Sequence, residues 1–359
     1  MITLIPNLEN IKKLMKVNNF SFNFRTEMPK FWDEALNKVN YIPVMYSSSS
    51  IEYQLAYQKS HGTVCQDISL VIDWGSKPVA VWPLSLSIKS NKIELSSQGM
   101  PVQPPLFVKL CPESSRKRIS KYCLDIIDNL SKELNIDSWK SSESFNFSIG
   151  FSEWHILSMS RGAFCSTYHE LFLNLESCMD EIKKNFRKSY KSLINSDMSD
   201  WTIKVLDVEN KSVWNQFKEL HHKVSGKKTR SDDTWEIHYN DILNGHGFLV
   251  YLLHNNSGKM DGGGFFNFTR DEGLYAVGAY NRDLFHKPIG HVIQYRAIQE
   301  LKKRGIIWYK LGARPYFTEE PRATEKEFSI SDFKQGFASH IFPKFILYKK
   351  NKSITEKLI

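Results

Sequence analysis

The stretch from residue 273 to residue 311 constrains the fold more than any other part of the chain. Residues 273–280 have the composition of a β-strand that ends in Gly278, Ala279 and Tyr280. A short Lys-Pro-Ile-Gly turn at 287–290 then opens directly into a helix. Apolar residues recur through this helix at spacings of three and four, which predicts one broad buried face. They are Val292, Ile293, Tyr295, Ala297, Ile298 and Leu301.

The end of this helix is also marked in the sequence. Lys302, Lys303 and Arg304 suit the negative C-terminal end of a helix, and Gly305 is placed to cap it. Residues 306–311 follow at once as an apolar, β-rich run. The stretch therefore predicts a strand, a helix and a strand, which is the unit from which parallel strand pairs are made.

The length of 359 residues predicts two domains, which we place at 1–170 and 171–359. Hydrophobic residues make up 41% of the chain, enough to fill two cores. The net charge of +9 favours an acidic partner, which includes nucleotide phosphates, tRNA, a lipid-linked sugar phosphate and the inner face of an anionic membrane. A basic cytosolic protein without such a partner is the alternative.

The cysteines and the N-terminus favour the cytoplasm. Five cysteines without a Cys-x-x-Cys pair suggest neither a disulfide framework nor a zinc site, and we expect no bound metal. The first residues lack a basic segment before their apolar stretch and reach a proline early, which is unlike a signal peptide. The sequence contains no run of 18 apolar residues, so it predicts no membrane-spanning helix.

The two halves follow one plan. Residues 69–74 and 78–84 predict a β-hairpin in the first half, and residues 248–253 and 262–266 predict one in the second. Each hairpin is followed by a helix and a strand, at 119–134 and 136–139 in the first half. The first half lacks a counterpart of the turn at 287–290. We therefore assign donor chemistry to the second half and acceptor recognition or scaffolding to the first.

Three segments resemble tandem-GNAT, FemAB-like acyltransferases, a family that includes the Fem-type peptidyltransferases. They are the basic segment 182–190, residues 290–298 with 309–312, and the Phe-Lys-Gln-Gly-Phe motif at 333–337. The family's pattern continues with Gly-Gly after that motif, whereas this chain has Ala338 and Ser339. The resemblance implies an α/β (α+β) fold with two GNAT-like domains in tandem, each a mixed twisted sheet flanked by helices.

The resemblance also implies an activity. Such proteins move an acyl or aminoacyl group from an acyl thioester or an aminoacyl-tRNA to a primary amine, commonly on a cell-envelope sugar or a peptidoglycan-type precursor. We expect acyl-CoA or aminoacyl-tRNA as a co-substrate and no permanently bound cofactor. Of the usual GNAT coenzyme A loop, Gln/Arg-x-x-Gly-x-Gly/Ala, only Gly290 is present, so the donor stays open.

The reaction centre is predicted around Lys334, because the matching lysine lies there in the family. An ammonium group at this place stabilises an oxyanion or holds a phosphate or carboxylate, and a surface lysine is the alternative. If strand 273–280 separates from its neighbour, backbone N–H groups near Gly278 and Ala279 are free for the acyl carbonyl. Tyr280 and Asn281 then face the cleft, where the phenol relays a proton, or they merely start a loop.

Two groups of residues are predicted to bind the substrates. The turn and first helical residues Lys287, Gly290 and His291 suit donor phosphates at a helix N-terminus. A second group of cations suits a phosphate-bearing partner, with Lys183, Arg187 and Lys191 on one face of a helix from 180 to 195 and Lys227 and Arg230 in a mobile loop over the cleft. Asp232 and Asp233 are candidate bases, although a helix-capping role is favoured. We interpret His221 and His222 as structural.

A non-catalytic GNAT-like module that binds a nucleic acid or an anionic glycan is the alternative function. Phosphate binding by the basic segment would then be independent of sequence. Base stacking is weakly supported there, because Phe186 and Tyr190 are assigned to the core.

Overall fold

A computed structural model describes residues 4–17, 20–74, 77–144 and 151–351. The chain divides into two compact units, and within the described residues the first takes in 4–40, 46–168 and 343–351. The second takes in 41–45 and 169–342. This division differs from the predicted domains in three segments, since 41–45 and 169–170 belong to the second unit and 343–351 belongs to the first. In the described part of the chain no helix is long and apolar enough to cross a membrane.

The first unit contains small sheets and five helices among its described residues. Its helices are α1 (Leu8–Leu14), α2 (Pro29–Leu36), α3 (Ser48–Ser60), α4 (Glu113–Glu133) and α5 (Glu153–Ser160). Its strands are β1 (Ser21–Phe24), β2 (Val64–Asp67), β3 (Leu70–Trp74), β4 (Lys77–Trp82), β5 (Ser85–Lys89), β6 (Lys92–Ser96), β7 (Leu106–Phe107) and β8 (Ser138–Ser144). One sheet has the order β1-β3-β4-β7 and another β2-β5-β6.

The predicted elements of the first unit are confirmed. β3 and β4 pair as an antiparallel hairpin, although residues 75 and 76 of its predicted turn lie outside the described residues. α4 buries the apolar row that predicted it, including Ile119, Cys123 and Ile127. It ends before Asn135, whose φ of +51° is the left-handed conformation common after helices.

The second unit is built on one mixed sheet. Its strands are β9 (Phe164–Asn174, shared with the first unit), β10 (Trp201–Leu206), β11 (Gly247–His254), β12 (Met260–Phe268), β13 (Glu272–Tyr280) and β14 (Trp308–Ala313). Their order is β10-β11-β12-β13-β14-β9. The pairs are antiparallel except β13 with β14, which is parallel. This confirms the predicted unit of strand, helix and parallel strand.

Helices cover both faces of this sheet. They are α6 (Met179–Asn185), α7 (Lys188–Leu193), α8 (Lys211–Ser225), α9 (Asp232–Leu243), α10 (Ile289–Lys303) and α11 (Glu325–Gln335). Because side chains alternate along a strand, Leu249 and Phe265 pack with α8 and α9 on one face. Phe248, Val250 and Phe266 pack with α10 on the other. A last strand, β15 (His340–Lys350), leads back to the first unit, where its residues from 344 pair with β8.

α10 forms as the sequence predicts. Val292, Ile293, Ala297, Ile298 and Leu301 are all buried, so the two apolar rows become one packed face. Gly305 follows the last turn with a φ of +76°, a conformation that glycine adopts without a steric penalty. The predicted cap is therefore confirmed.

The predicted basic helix from 180 to 195 is wrong, because the chain breaks into α6 and α7. Phe186 and Arg187 between them are extended, with ψ angles of 148° and 134°. The Phe186 ring is buried against Phe337, and the Arg187 N–H donates to the Gly336 carbonyl at 2.8 Å. These tertiary contacts replace the helical hydrogen bonds. The like-charge spacing that we inferred along a continuous helix therefore does not exist.

Residues 41–45 belong to the second unit because they satisfy buried carboxylates at the start of β13. The Tyr41 hydroxyl donates to Glu272 at 2.7 Å, and the Val44 N–H donates to the same carboxylate at 3.0 Å. The Ile42 N–H donates to Asp271 at 2.8 Å. Burial raises the pKa of Glu272, so these hydrogen bonds offset part of the cost of burying its charge.

Candidate active site

The site lies where β13 and β14 separate. The two strands pair only from Glu272 to Leu274 of β13. Beyond this point β13 stays paired with β12 as far as Tyr280, and β14 stays paired with β9 as far as Ala313. The predicted separation is thus confirmed, and beyond Leu274 no strand among the described residues pairs with the edge of β13 that faces the opening. Gly278 is exposed there.

A β-bulge in β13 decides which side chains face α10. Phe265 pairs with Val277 but Phe266 pairs with Tyr275, so Ala276 is an extra residue. Val277 and Ala279 point into the core with α8 and α9. The extra residue places Tyr275 with Tyr280 on the α10 side. Without the bulge, alternation would put Tyr275 on the opposite face.

The missing side chain of Gly278 makes room for Tyr275. A Cβ at Gly278 would lie 1.9 Å from the Tyr275 hydroxyl oxygen and 3.1 Å from the Tyr280 ring. Gly278 was predicted to allow a close approach to its backbone, and in the structure the space at its Cα is taken by the hydroxyl of Tyr275. The predicted contact of its N–H with an acyl carbonyl stays a prediction.

A group of tyrosine hydroxyls, from the buried Tyr309 and the half-buried Tyr275 and Tyr280, lines the α10 side of the opening. The hydroxyls of Tyr275 and Tyr280 lie 2.7 Å apart. The Tyr309 hydroxyl donates to Gln294 Oε1 at 2.6 Å, and Gln294 is fully buried. Burial raises the pKa of Tyr280 to about 12, so its hydroxyl stays protonated at neutral pH. No role for Tyr275, Gln294 or Tyr309 is predicted from the sequence. The one indication in the sequence is that Gln294 interrupts the apolar residues of α10.

The Lys334 ammonium reaches the opening from the last turn of α11. Its Nζ lies 5.2 Å from the centre of the Tyr275 ring. A Cβ at Gly312, near the end of β14, would lie 3.0 Å from the same Nζ. Gly312 has a φ of +124°, which only glycine adopts without strain, and so it leaves space for the lysine. Lys334 therefore stands between the two separating strands.

The charge of Lys334 is poorly compensated. Across residues 4–351, as far as they are described, no carboxylate or other acceptor bonds to its Nζ. Burial lowers the pKa of Lys334 from 10.5 to about 8. The group is therefore mostly an ammonium at pH 7 and becomes a free amine at moderately alkaline pH. A partly buried cation without a carboxylate partner is typical of a binding or catalytic site.

The Phe-Lys-Gln-Gly-Phe motif is held in place by α7. A Cβ at Gly336 would lie 2.1 Å from the Tyr190 ring, so only glycine fits. The Tyr190 hydroxyl donates to the Phe333 carbonyl at 3.1 Å, and Phe337 is fully buried. These contacts explain why the motif needs glycine two residues after the lysine. They also fix the end of α11 from which Lys334 projects.

The first turn of α10 has free N–H groups but a neutral histidine. No side chain caps this turn, and its first helical hydrogen bond runs from Val292 to Pro288. His291 packs against the rings of Tyr190 and Phe333, at 4.4 and 5.1 Å between centroids. Burial, with a contribution from Arg187, lowers the pKa of His291 to about 4. His291 therefore carries no charge for a phosphate at pH 7.

The other two residues predicted at this turn differ in exposure. A Cβ at Gly290 would lie 3.3 Å from the Phe333 ring and 3.9 Å from the Tyr280 ring, so the turn packs closely on the motif and on the site. Lys287 is exposed, and its Nζ lies 6.0 Å from the Trp201 ring. Lys287 is the one of the three that offers a charge to solvent.

The side chain of Asn281 makes hydrogen bonds that hold the loop after β13. Its side-chain amide donates to Asp261 Oδ1 at 3.1 Å, and its carbonyl oxygen accepts from the Asp283 N–H at 3.3 Å. These contacts start the loop that leads to α10, which is the alternative that the sequence left open. The Ala279 side chain points away from the opening, so only its backbone can serve there.

The predicted phosphate-binding cations fall into two groups on opposite faces of the sheet. On the α10 face, Lys183 lies 5.0 Å from the Tyr295 ring, Arg187 donates to the Asp332 carbonyl at 3.0 Å, and Lys191 donates to the Lys184 carbonyl at 3.1 Å. Arg187 therefore stands beside the turn that carries Lys334. On the other face, Arg230 lies 5.9 Å from the Trp235 ring. Lys227 is exposed just beyond the end of α8.

Asp232, at the start of α9, is held in two ion pairs. Ser231 caps α9 by accepting from the Thr234 N–H, so the predicted cap by Asp232 or Asp233 is displaced by one residue. Asp232 binds Lys218 and Lys228, at 2.5 and 3.0 Å. These two ammonium groups lower the pKa of Asp232 to about 2, far too low for a base at neutral pH.

The structure thus brings together Lys334, Tyr280, Gly278 and Gly290, and adds Tyr275, Gln294, Tyr309 and Gly312. It leaves Lys227 and Arg230 on the far face and turns Asn281 and His291 inward.

No protein-family model and no curated protein sequence gives a significant match to the chain. Among solved structures, the chain is similar to FemX, with a TM-score of 0.66, 11% identity, and coverage of 92% of this chain and 96% of that one. It is also similar to L-PGS from Bacillus licheniformis, with a TM-score of 0.55, 13% identity and coverage of 99% and 96%.

A tandem GNAT protein from the clavulanic acid biosynthesis pathway gives a TM-score of 0.50 at 10% identity, with coverage of 93% and 99%. Identities this low show a common fold. The predicted α/β class is confirmed, and so is the resemblance that the three sequence segments suggested. The chain therefore has the tandem-GNAT fold of Fem-like proteins.

Proposed function

We propose that this protein is an N-acyltransferase whose reaction centre is the opening between β13 and β14. The observation that carries the proposal is the position of Lys334. Its ammonium stands between Gly312 and Tyr275 at the point where the two strands stop pairing, without a carboxylate partner among the described residues. An oxyanion that forms in the opening would supply the missing negative charge.

The reaction joins a primary amine to an activated acyl group. The amine nitrogen attacks the acyl carbonyl carbon, and its electron pair forms the new C–N bond while the carbonyl oxygen becomes an oxyanion. The oxyanion then collapses and the bond to the donor's oxygen or sulfur breaks. The proton of the amine leaves with the donor group or with water. Lys334 donates a hydrogen bond to the oxyanion, which lowers the barrier at its highest point.

Protonated tyrosine hydroxyls line the same opening. Tyr280 stays protonated at neutral pH and already contacts Tyr275. A hydroxyl in this place donates a proton or a hydrogen bond to the departing oxygen, with Gln294 and Tyr309 holding the ring positions behind it. Asn281 acts as a positioning residue through Asp261.

We propose aminoacyl-tRNA as the donor. The first turn of α10 packs against Phe333, and the neutral His291 gives no positive charge to the pyrophosphate of an acyl-CoA. The net charge of +9 suits an RNA partner. Aminoacyl transfer in cell-envelope synthesis is also what similarity to FemX and L-PGS suggests. Acyl-CoA remains the alternative donor.

The proposed acceptor is the primary amine of a cell-envelope sugar or peptidoglycan-type precursor, with the reaction in the cytoplasm. The precursor's phosphates offer a partner for exposed cations, and we propose Lys183, Arg187 and Lys191 on the α10 face for this role. Arg187 is nearest to the reaction centre, through its contact with the end of α11. Lys227 and Arg230 would contact a longer partner, such as the body of a tRNA.

The test is single-turnover transfer by the purified full chain, with charged tRNA or acyl-CoA as donor and a mixture of envelope precursors as acceptor. Lys334→Met should reduce the transfer rate by about 100-fold or more, as expected for the loss of an oxyanion donor. Lys326→Met, an exposed lysine on the same helix, is the matched control. An unchanged rate in a folded Lys334→Met would remove the proposed role. Transfer from neither donor, with retained RNA or glycan binding, would favour the non-catalytic module.

A further inference from the structure

An exposed aromatic surface lies at the other end of α11 from Lys334. Phe317, in the loop between β14 and α11, is 70% exposed. Its ring stacks on Phe328 of α11, with centroids 4.3 Å apart and an interplanar angle of 28°. The Arg322 guanidinium lies 5.5 Å from the Phe317 ring centre. The two stacked rings and the guanidinium thus form one exposed surface that combines aromatic and cationic groups.

These residues line an open surface depression of about 540 Å³. The lining consists of Phe317, Arg322, Ala323, Thr324, Glu325 and Phe328. It combines an aromatic face, one cation and one carboxylate. This combination matches a nucleotide, whose base stacks, whose phosphate pairs with arginine and whose amino group donates to a carboxylate.

The depression and the reaction centre share a rigid element. Six residues of α11 separate Phe328 from Lys334, which corresponds to a rise of roughly 9 Å. Ten residues separate Thr324 from Lys334, or roughly 15 Å. A few nucleotides of single strand cover such a distance. A strand whose terminal acyl group lay at Lys334 would therefore bring an earlier base to Phe317.

We infer that Phe317 and Arg322 form a stacking site for the single-stranded 3′ end of a tRNA donor. A base packs against the Phe317 ring, the neighbouring phosphate pairs with Arg322, and the exocyclic amine of a cytosine or adenine faces Glu325. The inference rests on the proposed function for the identity of the donor. It adds where that donor is held and why an arginine and a phenylalanine are exposed together.

The experiment measures the dissociation constant of a short fluorescent RNA that ends in CCA, by anisotropy at fixed salt, with the full-length protein. Phe317→Ala should weaken binding roughly 5- to 100-fold, as for loss of one stacked base. Phe317→Trp should keep or strengthen binding, which separates loss of stacking from loss of folding. Phe164→Ala is the control, because Phe164 is 71% exposed in the first unit.

Arg322→Ala should weaken binding several-fold at low salt and little at high salt, because a phosphate contact is screened. Lys326→Ala, which removes the same charge from the neighbouring helix, should change binding less. Two further ligands identify another occupant: adenosine 3′,5′-bisphosphate, the nucleotide part of coenzyme A, and uridine diphosphate. If Phe317→Ala weakens only one of these, or if the wild type binds no RNA, the inference is overturned.

The outcome separates the two proposals. Transfer from charged tRNA with unchanged RNA binding by Phe317→Ala would keep the proposed function and remove this site. Weakened RNA binding by Phe317→Ala without transfer from any donor would keep the site and remove the enzyme.

Discussion

At the scale of single residues, Lys334 is held in a place that costs stability. The difference between a pKa of 10.5 and one of about 8 corresponds to about 3 kcal/mol, an upper limit because the side chain is partly exposed. The folded state binds the proton less tightly than the unfolded state. The cost is therefore fully present below pH 8 and disappears as the pH rises towards 10.5.

Lys334→Met should accordingly raise the free energy of unfolding at pH 7 by up to about 3 kcal/mol. Urea unfolding at pH 7 and pH 10 measures it, and the gain should shrink at the higher pH. Lys326→Met should stay within about 0.5 kcal/mol of the wild type at both. A gain that is equal at the two pH values would contradict the assignment to a desolvated ammonium.

The pair Gly278 and Tyr275 makes a second residue-scale prediction. Gly278→Ala should destabilise the protein by about 1–3 kcal/mol, since its Cβ would overlap the Tyr275 hydroxyl. In a Tyr275→Phe background the nearest atom would be the ring carbon at 2.9 Å instead of the oxygen at 1.9 Å. The cost of Gly278→Ala should therefore fall by about 1 kcal/mol or more in a double-mutant cycle. Additive effects of the two substitutions would show that the hydroxyl does not occupy this space.

At the scale of elements, the junction of α7 with the end of α11 positions the site. Gly336 has an ordinary helical φ of −63°, so alanine there meets no backbone strain. The steric contact with Tyr190 alone should make Gly336→Ala destabilising by about 1–3 kcal/mol. Removing the ring with Tyr190→Ala should abolish most of this additional cost, although that substitution is itself destabilising. Chemical unfolding of the four proteins measures the coupling, and an unchanged cost would refute the contact.

Elements differ in how far their sequences determine them. α10 and both hairpins were predictable because apolar periodicity, caps and turns agree along a continuous stretch. The break between α6 and α7 was not, because it depends on Phe337 and Gly336, which lie about 150 residues away in the sequence. A local pattern of apolar and basic residues is the same whether or not the helix continues through Phe186.

At the scale of the whole molecule, two neutral histidines tie stability to pH. Burial lowers the pKa of both His221 and His291 to about 4. Between pH 6.5 and pH 4 these histidines bind protons in the unfolded chain but not in the folded chain. Their neutral form therefore contributes fully to the free energy of unfolding above pH 6.5, and this contribution is lost as the pH falls towards 4. The loss per histidine at pH 5 should be at most about 2 kcal/mol, an upper limit because both side chains are partly exposed and solvent screens their charge.

His291→Phe should make this acid-side decline shallower, as measured by urea unfolding between pH 7.5 and pH 5. His286→Asn, at an exposed histidine before α10, is the control and should keep the wild-type slope. A His291→Phe variant with the wild-type slope would mean that His291 has the same pKa in the folded and the unfolded state, which contradicts the assignment to a buried neutral imidazole.

Only some residues of the candidate site could be predicted from the sequence. Lys334, Gly278 and Tyr280 were found because a motif and a strand end mark them in the sequence. Tyr275 and Gln294 were missed, since one depends on a bulge and the other looks like a polar interruption of an apolar helix. Lys227 and Arg230 were assigned by charge alone, which gives no information about the face of the sheet on which a loop lies.

At the extra residue Ala276, the alternation of side chains along β13 shifts by one residue. Upstream of it, odd-numbered Tyr275 faces α10, whereas downstream the even-numbered Gly278 and Tyr280 do so. Deleting Ala276 would therefore move each side chain before it in β13 to the opposite face of the sheet, while the composition of the strand would stay nearly unchanged. A substitution profile of this segment would not show such a dependence, but a scan of single-residue deletions would. The contact between the hydroxyls of Tyr275 and Tyr280 therefore depends on the number of residues between them, and not only on their identity.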